Sequence, residues 1–356
     1  MQKIFLLVFI LIPFFGFCQK IKTDATNPDG LREKKFDLSF SKIAPAEIKL
    51  PFSSIEIIDN RFDTSKLRFV PAFQFIADKK RVGRKVTFNE GVAKSLENYY
   101  NEFYQHSFER NNIKLLIVLR KFWLSGIDDK KNKAMDISKN PKSRSFLYCK
   151  WEYYLNKGNV YMPIQRIDTV VNGVLFKNEK NEMDDYKTEN EILKLILNGL
   201  IEVYDFKNAV DRIDRLTVKT WEQIKLYNAS LFDIPVLKDS VFKKGFFKNF
   251  IEFKNNSPSI INFKEKKIRV GSNKYEHYIE DDKGNRIVNY WGYFTGDELR
   301  IGKYENDKLH RKNNTFGFFL KHQYQMQNIN ISGGNSYADR EVWIPYQIDM
   351  ETGNIY

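Results

Sequence analysis

Up to about residue 215 the apolar positions recur at both strand and helix spacing. Residues 54–59 (SIEIID) alternate and end in the turn-like pair Asp59-Asn60, which predicts a strand. Across 90–110, Val92, Leu96, Tyr99, Phe103 and Phe108 recur near helical spacing, while Lys94, Glu97 and Glu102 mark a wet side. A helix capped by Asn89 is expected there. Residues 113–124 (IKLLIVLRKFWL) have a Val/Ile/Leu-rich centre that fits a buried strand. The segments 146–155 and 160–171 flank Asn156-Lys157-Gly158-Asn159, a good hairpin turn. Residues 192–203 (ILKLILNGLIEV) return to helical spacing, with Glu189 and Glu191 favouring the N-terminal end. The order β, α, β, β-hairpin, α predicts an α+β sandwich-like domain over 51–215, its helices on one sheet face.

A helix-like connector over 216–244 follows, stopped near Pro235. From 245 the pattern changes to short strands: FFKNFIEF, SIINF, KIRVG, YEHYIE, RIVNYWGYF, ELRIGKY, TFGFFLK and VWIPYQID. Asn/Gly/Asp-rich turns separate them, the clearest at Asp282-Lys283-Gly284-Asn285, Thr295-Gly296-Asp297 and Asn306-Asp307. This predicts a β-rich domain over 245–356, an antiparallel meander or a small barrel. The expected fold class is α+β.

The first residues read as an address rather than as structure. Lys3 gives a positive start, Ile4 to Phe17 form an uncharged apolar run, and Gly16 and Cys18 stand at −3 and −1 if cleavage falls before Gln19. That predicts a signal peptide over 1–18, too short to span about 30 Å of hydrocarbon. A retained anchor and a lipid-modified Cys18 are the alternatives, the latter disfavoured by Phe17 where lipoprotein signals want a small residue. Residues 19–50 are expected to be a leader into the fold. No later run reaches roughly 18 apolar residues, so no transmembrane segment is expected in the mature chain.

Composition narrows the chemistry. The chain has 356 residues, 42% hydrophobic and 15% aromatic, which is enough for a packed core. With two Cys, of which cleavage would leave only Cys149, no internal disulfide is expected, and Cys149 reads as a buried strand residue. His106, His277, His310 and His322 are too far apart for an HxxxH pair, so no metal and no cofactor are expected. The run Glu280 to Asn285 lacks the ligand spacing of an EF-hand and reads as an acidic hairpin turn. There is no GxSxG elbow, SxxK occurs at Ser39 and Ser240 without partner motifs, and Gly333-Gly334 has no phosphate-loop frame. No catalytic residue is assigned.

The formal net charge is +13, but the basic runs near residues 79, 130, 243 and 264 scatter over the whole chain. A solvated basic surface suits anionic envelope lipid or acidic glycan, whereas a nucleic-acid binder concentrates its charge. Aromatics are the richest signal: Tyr275, Tyr278, Tyr290, Trp291, Tyr293, Phe294 and Tyr304 crowd the β-rich half. Alternation across 290–294 puts Trp291 and Tyr293 on one face and Tyr290 and Phe294 on the other. Trp291 and Tyr293 are the candidate binding residues. The competing reading, favoured here, is that their face is simply core.

The phrases Trp291-Gly292-Tyr293, Thr295-Gly296-Asp297 and Tyr346 to Gly353 (YQIDMETG) resemble a family of exported proteins of Bacteroidota-type Gram-negative bacteria. The resemblance implies export and brings no activity, cofactor or catalytic residue. The strand ending Ile57-Ile58-Asp59-Asn60-Arg61, followed by a helix and a strand, is similar in topology to α+β envelope lipoprotein domains. The expectation is a non-catalytic envelope protein, binding or structural, with an acidic glycan, envelope lipid or another envelope protein as partner and no nucleic acid. The alternative is a secreted hydrolase of polysaccharide or peptide with a site between the halves.

Overall fold

The computed structural model describes residues 33–36, 38, 48–64, 68–70, 81–82, 84–125, 144–174, 185–269, 271, 275–302, 307–312, 314–329 and 335–355. The expected signal peptide, with Cys18 and Gln19, lies outside these residues. In chain order the elements are β1 (Glu33–Phe36), β2 (Ile55–Asp59), β3 (Arg68–Val70), β4 (Arg81–Val82), β5 (Arg84–Phe88), α1 (Val92–Phe103), β6 (Ile113–Ser125), β7 (Arg144–Lys157) and β8 (Val160–Val174). Next come α2 (Asp185–Glu202), α3 (Phe206–Asp211), β9 (Lys219–Thr220), α4 (Trp221–Ser230) and α5 (Pro235–Lys238). The rest is β10 (Gly245–Phe247), α6 (Phe250–Lys254), β11 (Phe263–Arg269), β12 (Tyr275–Asp281), β13 (Gly292–Phe294), β14 (Leu299–Ile301), β15 (Asp307–Lys308), β16 (His310–Lys312), β17 (Thr315–Ile329) and β18 (Asn335–Gln347). Helices and strands of both halves make an α+β fold, β-rich toward its C-terminus.

A five-stranded sheet in the order β2-β6-β7-β8-β9 organises the first half. β2 runs parallel to β6, and β6, β7 and β8 are antiparallel, joined through the expected hairpin, where Gly158 and Asn159 both take positive φ. Alternation sorts the side chains of β6. Leu115, Ile117 and Leu119 enter the large core under α1 and α2, and Leu116 and Val118 face the other way. Cys149 is buried in that large core, and burial pushes its thiol well above the usual range.

Two local expectations are corrected, and a third element takes a further role. The cap of α1 is Gly91, with no side-chain hydrogen bond, and the helix stops at Phe103, so His106 stands exposed in the turn beyond it. The connector does more than join the halves: α1 and α2 keep to one sheet face as expected, and Trp221 and Ile224 of α4 cover the second, against Leu116, Val118, Tyr154 and Tyr161. Those four residues make an apolar patch on that face, so it needs its own cover. The stretch FFKNFIEF is a three-residue strand followed by α6, because the Asn249 side chain accepts from the Glu252 N–H and starts a helix.

The second half holds small antiparallel sheets, including β10-β13-β14-β15 and the ribbon β11-β12, and a long hairpin of β17 and β18. Its core joins α5, Phe247, Phe253, Phe316, Phe318, Ile348 and Met350. Two features tie the halves together. β4 pairs with β18, and the terminal turn after β18 reaches back to the first sheet, where Asp349 pairs with Lys121 and Glu351 with Lys150. Among the described residues no helix is long and apolar enough to cross a membrane.

Candidate functional site

Strand β13 is short because its approach is bent. Asn289 takes a left-handed φ of 58°, and regular pairing begins only at Gly292. Strict period-two alternation therefore fails across 290–294, and the expected pairing of faces is corrected. Tyr293 lies with Tyr290 in a small aromatic core, its ring stacked 4.7 Å from Phe246. Trp291 lies with Phe294 against the other core, stacked on Phe253 at 4.2 Å and 26° and 5.6 Å from Phe250. The backbone holds Trp291 on both sides, its N–H donating to Phe247 and its carbonyl accepting from Gly302.

The two candidate residues thus separate. Tyr293 is 3% exposed, and burial raises its hydroxyl pKa, so it is core. Trp291 is only partly buried and also lines an open groove of about 650 Å³. Lys248, Asn249 and Phe250 at the start of α6 form one part of the groove, and residues 286–291 returning from the acidic turn form another. Tyr278 of β12 and Gly302 complete it. Gly302 is required there: a Cβ would fall 2.2 Å from the Tyr290 ring. Phe250 is braced from behind in the same way, its ring lying against Gly353 of the terminal turn.

The groove's polar groups are cationic and amide. Arg286 lies 5.4 Å over the Tyr278 ring, a cation–π distance, opposite Glu280 in an isolated bridge. Burial and the hydrogen bond to Glu280 hold the Tyr278 hydroxyl above its ordinary value. Among the described residues the lining includes no carboxylate, imidazole, thiol or aliphatic hydroxyl. Asp281, in the neighbouring turn, accepts from the Lys283 and Asn285 N–H groups and the Asn285 side chain, which lowers its pKa. Its carboxylate is thus spent on its own hairpin. Among the described residues no group of three His, Cys, Asp or Glu is placed to hold a metal ion.

A second concavity lies at the junction of the halves, about 40 Å³, between Arg61, Arg120, Lys121 and the terminal turn. That is room for a few waters. Its carboxylates are Asp63, Asp349 and Glu351, of which Asp349 is paired with Lys121 and Glu351 with Lys150.

Sequence reasoning placed Trp291 and missed Lys248, Phe250 and Arg286. The signal for Phe250 was the Asn249 cap, while only the turn at 281–285 brings Arg286 back beside Tyr278. No family model matches the chain, and no curated protein matches it. A similar solved structure is that of protein XCC0632 from Xanthomonas campestris, of family DUF330, at 9% identity. The likeness covers 46% of this chain and 90% of that one, with a TM-score of 0.29, too low to establish a shared fold.

Proposed function

We propose that the protein is an exported, non-catalytic binding protein of the cell envelope, and that its ligand site is the groove beside Trp291. Export rests on the first 18 residues and on the resemblance of the Trp291-Gly292-Tyr293 and Tyr346 to Gly353 phrases. The observation that carries the binding reading is the composition of the groove. Aromatic rings and cations line a large open space in which, among the described residues, no carboxylate, imidazole, thiol or aliphatic hydroxyl stands. The hydrolase alternative finds no support at the junction, whose cavity of about 40 Å³ is too small for a sugar ring or a peptide.

Binding and turnover separate in one experiment. Purified chain is incubated with isolated envelope polysaccharide, then the bound polymer is recovered and sized. The expected result is retention with unchanged polymer length. Progressive shortening would replace this reading with the hydrolase.

A further inference from the structure

We infer that the groove's ligand is a polyanionic saccharide chain, with a sugar ring against Trp291 and Tyr290 and acidic groups on Lys248, Arg286 and Lys266. The inference rests on the reading of the groove as a binding site. Three observations narrow the ligand class. First, about 650 Å³ of space open to solvent is room for the sugar rings of a chain that continues past it, and its lining is part polar rather than the apolar channel an acyl chain needs. Second, beside Phe250 the groove's rings are Tyr278, Tyr290 and Trp291, flat apolar faces with polar edges, which match the apolar face and hydroxyl rim of a pyranose.

Third, the charge continues beyond the groove along the ribbon of β11 and β12. Lys266 sits opposite Tyr278 and Lys264 opposite Glu280, so alternation places both lysines on the Tyr278 side of the ribbon. The opposite side is fixed by Ile279, which is buried in the small aromatic core. Lys264 and Lys266 are exposed there, with Glu280 3.8 Å from Lys266 as the one acidic side chain described on that face. The cations then run from Lys248 past Arg286 and Tyr278 to Lys266 and Lys264. A track of this kind fits a chain with repeated negative charges better than a single acidic sugar.

The test uses the purified full chain at about 0.15 M ionic strength, where exposed charges more than about 8 Å apart are screened. Three probes are titrated: polygalacturonate oligomers, neutral dextran oligomers of matched length, and phosphatidylglycerol vesicles. The polygalacturonate is expected to bind and the dextran not. The double variant Lys248→Glu/Arg286→Glu should weaken binding by about tenfold or more, since charge-assisted contacts are lost and replaced by repulsion. Trp291→Phe should weaken it too, while Lys207→Glu/Arg215→Glu, at two exposed positions of the first half and with the same change of charge as the groove double variant, should not.

An equal loss in Lys207→Glu/Arg215→Glu would overturn the inference, because attraction would then follow net charge alone. Dextran bound as well as polygalacturonate, with Trp291→Phe weakening both, would overturn the polyanion and leave the groove as a binding site. Vesicles bound in place of either glycan, with the groove variants weakened, would likewise move the ligand to a lipid surface. If none of the three probes binds, both the inference and the binding reading fall.

Discussion

Trp291 has two environments, and each predicts a different consequence of losing it. One ring face is stacked on Phe253, which itself packs at 5.0 Å against Phe316 in the middle of the second core. Truncation there opens a cavity whose cost grows with the volume left unfilled. A fully buried Trp→Ala change costs about 3–5 kcal/mol, and a half-buried one less, so Trp291→Ala is expected to cost roughly 2–3 kcal/mol in urea unfolding. Trp291→Phe should recover most of that, because the contact with Phe253 survives. A Trp291→Ala chain as stable as the parent would mean the stack on Phe253 contributes nothing. The sequence could show that an aromatic run was present. It could not show the phase, since the chain bends at Trp291 and runs as a regular strand only from Gly292, so alternation does not carry across the bend.

Long runs made the elements of the first sheet legible: β6, β7, β8 and their hairpin fall where the apolar pattern and the Gly158-Asn159 turn put them. The cover on the second face was not legible, because α4 exposes Leu226 and buries little beyond Ile224, so its pattern alone gives no clear stripe. The same face carries a feature that only pairing reveals. A bulge in β6 between Leu119 and Lys121 leaves Arg120 without an opposite residue on β7 and turns its side chain inward. There Arg120 donates to Glu152 at 2.6 Å, Tyr154 donates to the same carboxylate, and the guanidinium lies 5.0 Å from the Tyr227 ring of α4. The pair is buried, and its Nε and Nη1 groups have no hydrogen-bond partner among the described residues. Removing one partner strands a buried charge, at about 3–5 kcal/mol. Removing both takes away the desolvation penalty as well as the attraction. Arg120→Met and Glu152→Met are each expected to destabilise strongly in urea, and the double variant less than either single change. A double variant showing the sum of the two losses would mean the pair does not act as a unit.

At the scale of the molecule, charge that is scattered in sequence is gathered by topology. Lys248 precedes α6 and Arg286 follows the acidic turn, yet both line the groove with Trp291 and Tyr278, and Lys266 of β11 stands opposite Tyr278 on the ribbon. Composition therefore showed the amount of positive charge but not its direction. The terminal turn joins this arrangement to the rest of the fold: Gly353 supports Phe250 in the groove while Asp349 and Glu351 hold the first sheet. That dual contact gives a structural role to the Tyr346 to Gly353 phrase, which from sequence alone carried only a resemblance. The central claim is that ligand meets the molecule at Trp291, and the indole N–H signals of the chain's five tryptophans report on it directly. Titrating 15N-labelled protein with polygalacturonate oligomers should shift the Trp291 indole resonance saturably, while that of Trp151, fully buried in the first core, stays in place. A saturable shift at Trp221 or Trp123 with Trp291 unmoved would contradict the claim and place the site on the other half.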